Sequence, residues 1–413
     1  MSVVNSHQEK SLHDCLDKVV GWSIFLQLQG DKEVAKPYIQ GKPGGGKTAS
    51  IIDMCKRYNW NFMHLHLPLI PIEDISGLPQ FEPIIVNGET VQGTRWTYPE
   101  ILSEIYKLSG DKVTDPKTGK ETEKPCIVFL DDMHLASSAH LAMGFELFSE
   151  KKLRTYKIPK NVAFVLAGNA TTKAGTKTQN SAITNRLALY PVKTSFNNWR
   201  DNYAYKNDIN SKIMAFLSRE NYQQHFHEEE VVNKAWGSPR SWTYLSNLLT
   251  AMEGGEGGEV NQVDLSYITN AHVSGTAAAE FVSFYHIYSK TEMDKIFDGT
   301  KKIVCPDEEL DKYIYGIAAG QEYVNRSKKK DLDATKKLKL VEKVSDIICA
   351  IADKNSEIAI SAVKSILDIE KALSGKETGG KTSYVEIARM LKIKKSKISA
   401  KVSSDLRKIA GAV

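Results

Sequence analysis

Residues 41–48 read Gly-Lys-Pro-Gly-Gly-Gly-Lys-Thr, with Pro37-Tyr38-Ile39-Gln40 before them and Ala49-Ser50-Ile51-Ile52 after. The spacing is that of a phosphate-binding loop: a glycine, four residues, then Gly-Lys-Thr. Gly41, Gly44, Gly45 and Gly46 let the backbone curl so that its N–H groups point inward at phosphate oxygens. Tyr38 and Ile39 predict a short strand leading in, and the residues through Cys55 predict a helix whose positive end faces the same oxygens. Lys47 is the residue to reach the β- and γ-phosphates, and Thr48 the hydroxyl to hold Mg²⁺.

Hydrolysis would need acids and an amide nearby. Cys126-Ile-Val-Phe-Leu130 is an all-apolar run suited to a strand buried on both faces of a parallel sheet. It ends in Asp131 and Asp132, about 80 residues beyond the loop. Asp131 at that strand tip can share the Mg²⁺ site, and Asp132 can polarise an attacking water. A further apolar run, Val162 to Gly168, ends in Asn169, which can orient that water or simply make a turn. Arg186 precedes a strand at Ala188 to Val192; it suits either a neighbouring subunit's site or a surface salt bridge. Ser238-Pro239 is a good helix start. It puts Arg240 in a first helical turn, open to a phosphate or to a structural ion pair.

The ordered set Gly41–Thr48, Leu130-Asp131-Asp132, Ala167-Gly168-Asn169, Thr184-Asn185-Arg186 and Ser238-Pro239-Arg240-Ser241-Trp242 resembles the MoxR-type AAA+ ATPases of the dynein-related branch, over about residues 30–320. The resemblance implies ATP and Mg²⁺ as ligands and a doubly wound α/β core with a helical lid. It also implies a homo-oligomeric ring, usually of six subunits, that remodels a protein partner, often one with a von Willebrand A domain. Asp132 departs from the family, which usually has Glu there. The missing methylene sets the carboxylate back by roughly 1.5 Å. A misplacement of about 1 Å can cost on the order of 100-fold in rate. Slow hydrolysis, or help from another acid such as Glu73, is therefore expected. A non-hydrolysing, nucleotide-gated scaffold is the third reading.

The elements that would position these residues can be read along the chain. Residues 8–29 form an amphipathic helix and Asn61 to Leu67 a second core strand. His64 and His66 share one face of that strand. Metal ligation is open to them, though hydrogen-bonded polar positions are the commoner outcome for such a pair. Val86-Asn87-Gly88-Glu89 predicts a hairpin within residues 83–92, placed like the insert of the dynein-related branch, which would project over a ring face and could grip a substrate. Residues 109–125 read as an exposed loop, and His225 and His227 as solvated surface. The expected domains are an α/β core (1–196), a helical lid (197–325) and a basic all-α region (326–413). The last contains helices near Thr335 to Lys354 and Glu357 to Leu373, then a candidate helix-turn-helix at 381–409.

Residues 381–413 hold nine Lys/Arg against two Asp/Glu, a net +7, and the remaining 380 residues sum to −2, so the basic character of the +5 chain belongs to this tail. Lys394, Lys395, Lys397 and Lys401 would line the second helix, for DNA or for a docking protein. A nucleic-acid-acting ATPase anchored by this tail is the runner-up to protein remodelling. Of the 413 residues 41% are hydrophobic, as in ordinary globular proteins, and no apolar run approaches the roughly 20 residues of a membrane span. The five cysteines have no metal-ligand spacing and read as reduced thiols of a cytoplasmic protein.

Overall fold

The computed structural model describes residues 10–30, 33–114, 119–169, 185–228, 234–254, 260–273, 275–327, 333–363 and 366. The candidate helix-turn-helix lies outside them. The chain divides into two units, Met1–Thr194 and Ser195–Val413.

The first unit begins with β1 (Lys10–Ser11), then α1 (Leu12–Cys15), a π-helical turn (Leu16–Val20) and α2 (Gly21–Gln29). Next come β2 (Lys36–Gln40), α3 (Lys47–Arg57) and β3 (Asn61–His66), then α4 (Ile72–Ser76) and the hairpin strands β4 (Pro79–Val86) and β5 (Glu89–Trp96). After α5 (Glu100–Ser109) come β6 (Lys112–Thr114), β7 (Glu121–Glu123) and β8 (Cys126–Asp131). Then follow α6 (Ser138–Ser149), β9 (Lys152–Leu153), β10 (Tyr156–Lys157), β11 (Val162–Gly168) and β12 (Leu187–Lys193).

Six strands pair in the order β1-β12-β2-β11-β8-β3, every pairing parallel. Alternate side chains feed two cores. Val128, Leu130, Phe164 and Leu166 pack with Ile101, Leu102, Leu147 and Phe148 on one face. Ile127, Phe129, Ala163, Val165 and Ala167 pack with Leu16, Ile24, Ile51 and Met54 on the other. All residues of β8 and β11 are buried, which is why both read as unbroken apolar runs. Where β11 runs past the start of β2, Gln27 takes the place of a strand. Its Nε2 donates to the Phe164 carbonyl (3.0 Å) and its Oε1 accepts from the Phe164 N–H (3.0 Å), satisfying backbone groups that would otherwise be buried unpaired.

Two local expectations need correcting. The described residues of 109–125 are mostly exposed but not structureless: Ser109 is buried, and β6 and β7 form a small antiparallel hairpin across which Lys112 and Glu121 approach to 3.6 Å. His225 is not solvated surface. It is buried in the second unit between Glu228 and Glu280, each 2.9 Å from a ring nitrogen, and His227 is half-buried. The carbonyl of His225 accepts from the Trp242 indole N–H at 2.8 Å.

The second unit is helical. Its longer helices are α7 (Ser211–Leu217), α8 (Pro239–Glu253), α9 (Gln262–His272), α10 (Thr276–Lys290), α11 (Glu309–Ser327) and α12 (Ala334–Lys354), followed by a helix over 356–363. One core joins them. Phe216, Trp242 and Phe281 pack with centroids 5.4–5.7 Å apart, and Val344, Ile347, Ile348 and Ile351 of α12 belong to the same cluster.

Candidate nucleotide site

A doubly wound parallel sheet places ligands beyond the carboxyl ends of its strands. Here β2, β8 and β11 end in residues 41–48, Asp131 and Asn169 respectively. The loop turns into α3 at Gly46, whose φ of +87° is the left-handed conformation that glycine adopts without strain. Gly168 is needed for another reason. A Cβ there would lie 2.1 Å from the Tyr38 hydroxyl and 3.3 Å from His134 Nδ1, so any larger residue would displace the buried Tyr38 ring. The loop is tied down by the Gly41 N–H on the Gly168 carbonyl (3.3 Å) and by the Thr194 hydroxyl on the Gly45 carbonyl (3.2 Å).

Lys47 is buried. Its ammonium donates to the carbonyls of Gly41 (2.9 Å) and Lys42 (3.1 Å) and to Asn169 Oδ1 (3.3 Å). The Thr48 hydroxyl donates to Asp131 Oδ2 at 2.7 Å. Burial alone would raise the Asp131 pKa. Hydrogen bonds from Thr48, from the Asp132 N–H and from His64 outweigh it, and the carboxyl is held below its usual range. Loop lysine, threonine, strand-tip aspartate and asparagine thus converge at one edge of the sheet.

Asp132 opens a 3₁₀ turn (Met133–Leu135) with φ +53°, ψ +31°. A non-glycine residue there is uncommon, and aspartate is among those that tolerate it. Its half-exposed carboxylate lies 3.4 Å from His66 Nδ1. Arg186 is exposed just before β12, with its guanidinium 4.8 Å above the Phe145 ring. Arg240 belongs to the second unit. It is exposed in the first turn of α8, whose start is a capping box between Ser238 and Ser241.

One contributor was not legible beforehand. His134 stands against Asn169, with Nδ1 accepting from the Asn169 N–H (3.3 Å) and Nε2 3.1 Å from its side-chain amide. Burial, with Lys47 nearby, lowers the His134 pKa despite the opposing pull of Asp132 and Asp131. A neutral imidazole keeps the lone pair that this contact requires. A histidine three residues after a strand-end aspartate was the available signal. His64, read from sequence as a metal ligand or a hydrogen-bonded polar position, is hydrogen-bonded, with Nε2 3.2 Å from Asp131 Oδ2.

No protein-family model matches the chain, and no curated protein does. Solved structures are similar at low level. A RuvB mutant from Thermotoga maritima aligns with a TM-score of 0.33 at 12% identity, over 70% of this chain and 80% of that one. The Thermotoga maritima RuvB Holliday junction branch migration motor gives 0.32 at 11%, over 68% and 74%. NtrX from Brucella abortus in complex with ADP gives 0.32 at 12%, over 87% of this chain and 68% of that one. Superpositions this loose carry nothing about chemistry, and the site stands on its own geometry.

Proposed function

We propose that the chain is an ATP-hydrolysing AAA+ ATPase, of a kind resembling the MoxR type, that works as a ring and remodels a protein partner. The observation that supports it most is the 2.7 Å bond between Thr48 and Asp131, beside Lys47 and Asn169, at the carboxyl ends of a parallel sheet. The donor set fits Mg²⁺: a hydroxyl and a carboxylate held ionised are hard oxygens of the kind this cation prefers. Thr48 and Asp131 would hold it, and it would supply positive charge against the β- and γ-oxygens.

The loop N–H groups and Lys47 bind the phosphates. Lys47 already rests on carbonyls of its own loop, so phosphate oxygens would replace existing acceptors rather than recruit a distant side chain. Asn169, backed by His134, orients the water. Asp132 takes its proton. Arg186 is assigned to the neighbouring subunit's site. The exposed apolar residues Phe81, Ile84 and Ile85 on the β4–β5 hairpin suit contact with a protein substrate.

Steady-state turnover with ATP and Mg²⁺ tests this. Lys47→Ala should lose ATP binding, and Asp131→Asn should stop turnover. Wild-type hydrolysis by Lys47→Ala would remove the assignment. The basic tail favours the second reading, in which the motor acts on nucleic acid. Salt-sensitive stimulation by DNA would select it, and stimulation by a protein alone would select remodelling.

A further inference from the structure

His64 and His66 are two residues apart on β3, and β3 pairs in parallel with β8 so that His66 faces Asp131. Their rings lie 4.3 Å apart, centroid to centroid. One nitrogen from each and one Asp131 oxygen all fall within 4.8 Å of one another. His64 Nε2 is 3.2 Å from Asp131 Oδ2. His66 Nδ1 is buried and makes no hydrogen bond, although Asp132 Oδ2 stands 3.4 Å away. A buried ring nitrogen without a hydrogen-bond partner is costly, and here it sits beside an imidazole and a carboxylate.

We infer that His64, His66 and Asp131 form a binding site for a borderline divalent transition ion of the Zn²⁺ or Co²⁺ class, set apart from the proposed Mg²⁺ site by its two imidazoles but sharing Asp131 with it. Two imidazoles and a carboxylate are a zinc-type set, with the fourth position left to water. Mg²⁺ disfavours imidazole, so the histidines select against the cation that nucleotide requires. Bonds of about 2.0–2.1 Å place tetrahedral ligands about 3.3–3.4 Å apart. The His64–Asp131 distance already meets this, and the widest separation must shorten by about 1.5 Å to do so, within reach of an imidazole turning at a strand end.

Sharing Asp131 has a consequence, which rests on the ATPase reading. An ion held by the histidines takes the carboxylate that would otherwise hold Mg²⁺, so it should inhibit hydrolysis, and raising Mg²⁺ should relieve the inhibition. The chain would then sense a transition ion at its nucleotide site.

The binding is tested without turnover. Tag-free, nucleotide-free full-length protein is titrated with Co²⁺ and followed by visible absorption. One equivalent should give the d–d bands of a four-coordinate nitrogen and oxygen site. Thiolate charge-transfer bands should be absent, and Zn²⁺ should bleach the signal. His64→Gln with His66→Gln should weaken binding at least about tenfold, with an unchanged far-UV circular dichroism spectrum. In the wild type, adding Mg²⁺ with ADP should lower Co²⁺ occupancy. The site is overturned if no Co²⁺ spectrum forms, if thiolate bands dominate, or if a folded double variant binds as the wild type does. The shared carboxylate is overturned if Co²⁺ occupancy ignores Mg²⁺ and ADP. Loss of ATPase activity in every preparation would count against the ATPase reading alone and leave the cobalt result standing.

Discussion

At the scale of single residues, Asp132 carries the most chemistry on the least reach. Its φ of +53° is adopted by Asp and Asn more readily than by other non-glycine residues. Asp132→Asn therefore keeps the turn while removing the base. Turnover should fall on the order of 10²- to 10⁴-fold, with nucleotide affinity retained in a fluorescent-ADP titration. A variant that still turns over as the wild type does would shift the base to another acid. Lys151 makes a different point. Its half-buried ammonium donates to the carbonyls of Gln27 (3.0 Å) and Val162 (2.8 Å). Burial, then the charge of Lys36, push its pKa down to about 8. A base with a lowered native pKa binds its proton more readily when unfolded. It therefore penalises the fold fully below pH about 8, and the penalty fades as pH rises towards 10.5. The gain is at most about 1.4 kcal/mol per pH unit, and less because the ammonium retains some access to water. Urea midpoints at pH 7.5 and 9.5 should differ between wild type and Lys151→Met in this sense, the wild type gaining relative to the variant. A difference independent of pH would refute the shift.

At the scale of elements, the β4–β5 hairpin is closed by Asn87 (φ +53°) and Gly88 (φ +87°), the backbone of a type I′ turn. A Cβ at Gly88 would meet nothing within 4 Å, so Gly88→Ala isolates backbone strain from packing. It should cost about 1–2 kcal/mol locally. Amide exchange in Glu89–Trp96 should quicken roughly 5- to 30-fold, while the melting temperature of the sheet unit stays put. Equal exchange rates would show that the turn does not hold the hairpin. This turn was legible because Asn-Gly between β-rich arms has one favoured backbone. The buried strands β8 and β11 were legible because two covered faces leave no polar positions. Other features had no such code. The π-helical turn at Leu16–Val20, closed by the Gly21 N–H on the Leu16 carbonyl, leaves no mark in the apolar pattern, since Leu12, Leu16, Val20 and Ile24 are all buried at intervals of four. The strands β6 and β7 are three residues each, all exposed but the half-buried Val113, too short for an apolar alternation to show. His225 sits in polar sequence, and its burial comes from Trp242, Phe216 and Glu280, all remote or on other segments. At the site, the motif residues were legible from spacing. His134, and the pairing of His64 with Asp131, were not, because nothing in the local sequence states which strand ends become neighbours.

At the scale of the whole molecule, the question is whether one chain suffices for turnover. The convergence of Lys47, Thr48, Asp131 and Asn169 is complete within the first unit. On the proposed reading it offers one cation, Lys47, for phosphates and one carboxylate, Asp131, for Mg²⁺. Arg186 lies at the amino end of β12, whereas the nucleotide residues follow the carboxyl ends of parallel strands. A side chain at the opposite end of the sheet is poorly placed for its own site, so the proposed role is one in a neighbour's. If Arg186 neutralises transition-state charge across a subunit contact, its loss should cost on the order of 10³-fold or more in turnover, as for arginine fingers supplied in trans. Binding of ATP should survive, because the loop is untouched. Turnover per subunit should climb with protein concentration as rings form. Complementation separates this from a structural defect. In a mixture, an Arg186→Ala subunit supplies an intact loop and a Lys47→Ala subunit supplies an intact arginine, so some contacts contain a complete composite site. Neither variant has one alone. Mixing two weakly active preparations should therefore raise activity above their sum, with a maximum at intermediate ratios. A mixture that only averages its parts, with turnover per subunit flat from nanomolar to micromolar protein, would place Arg186 in a local structural role and make the chain's hydrolysis a property of the monomer.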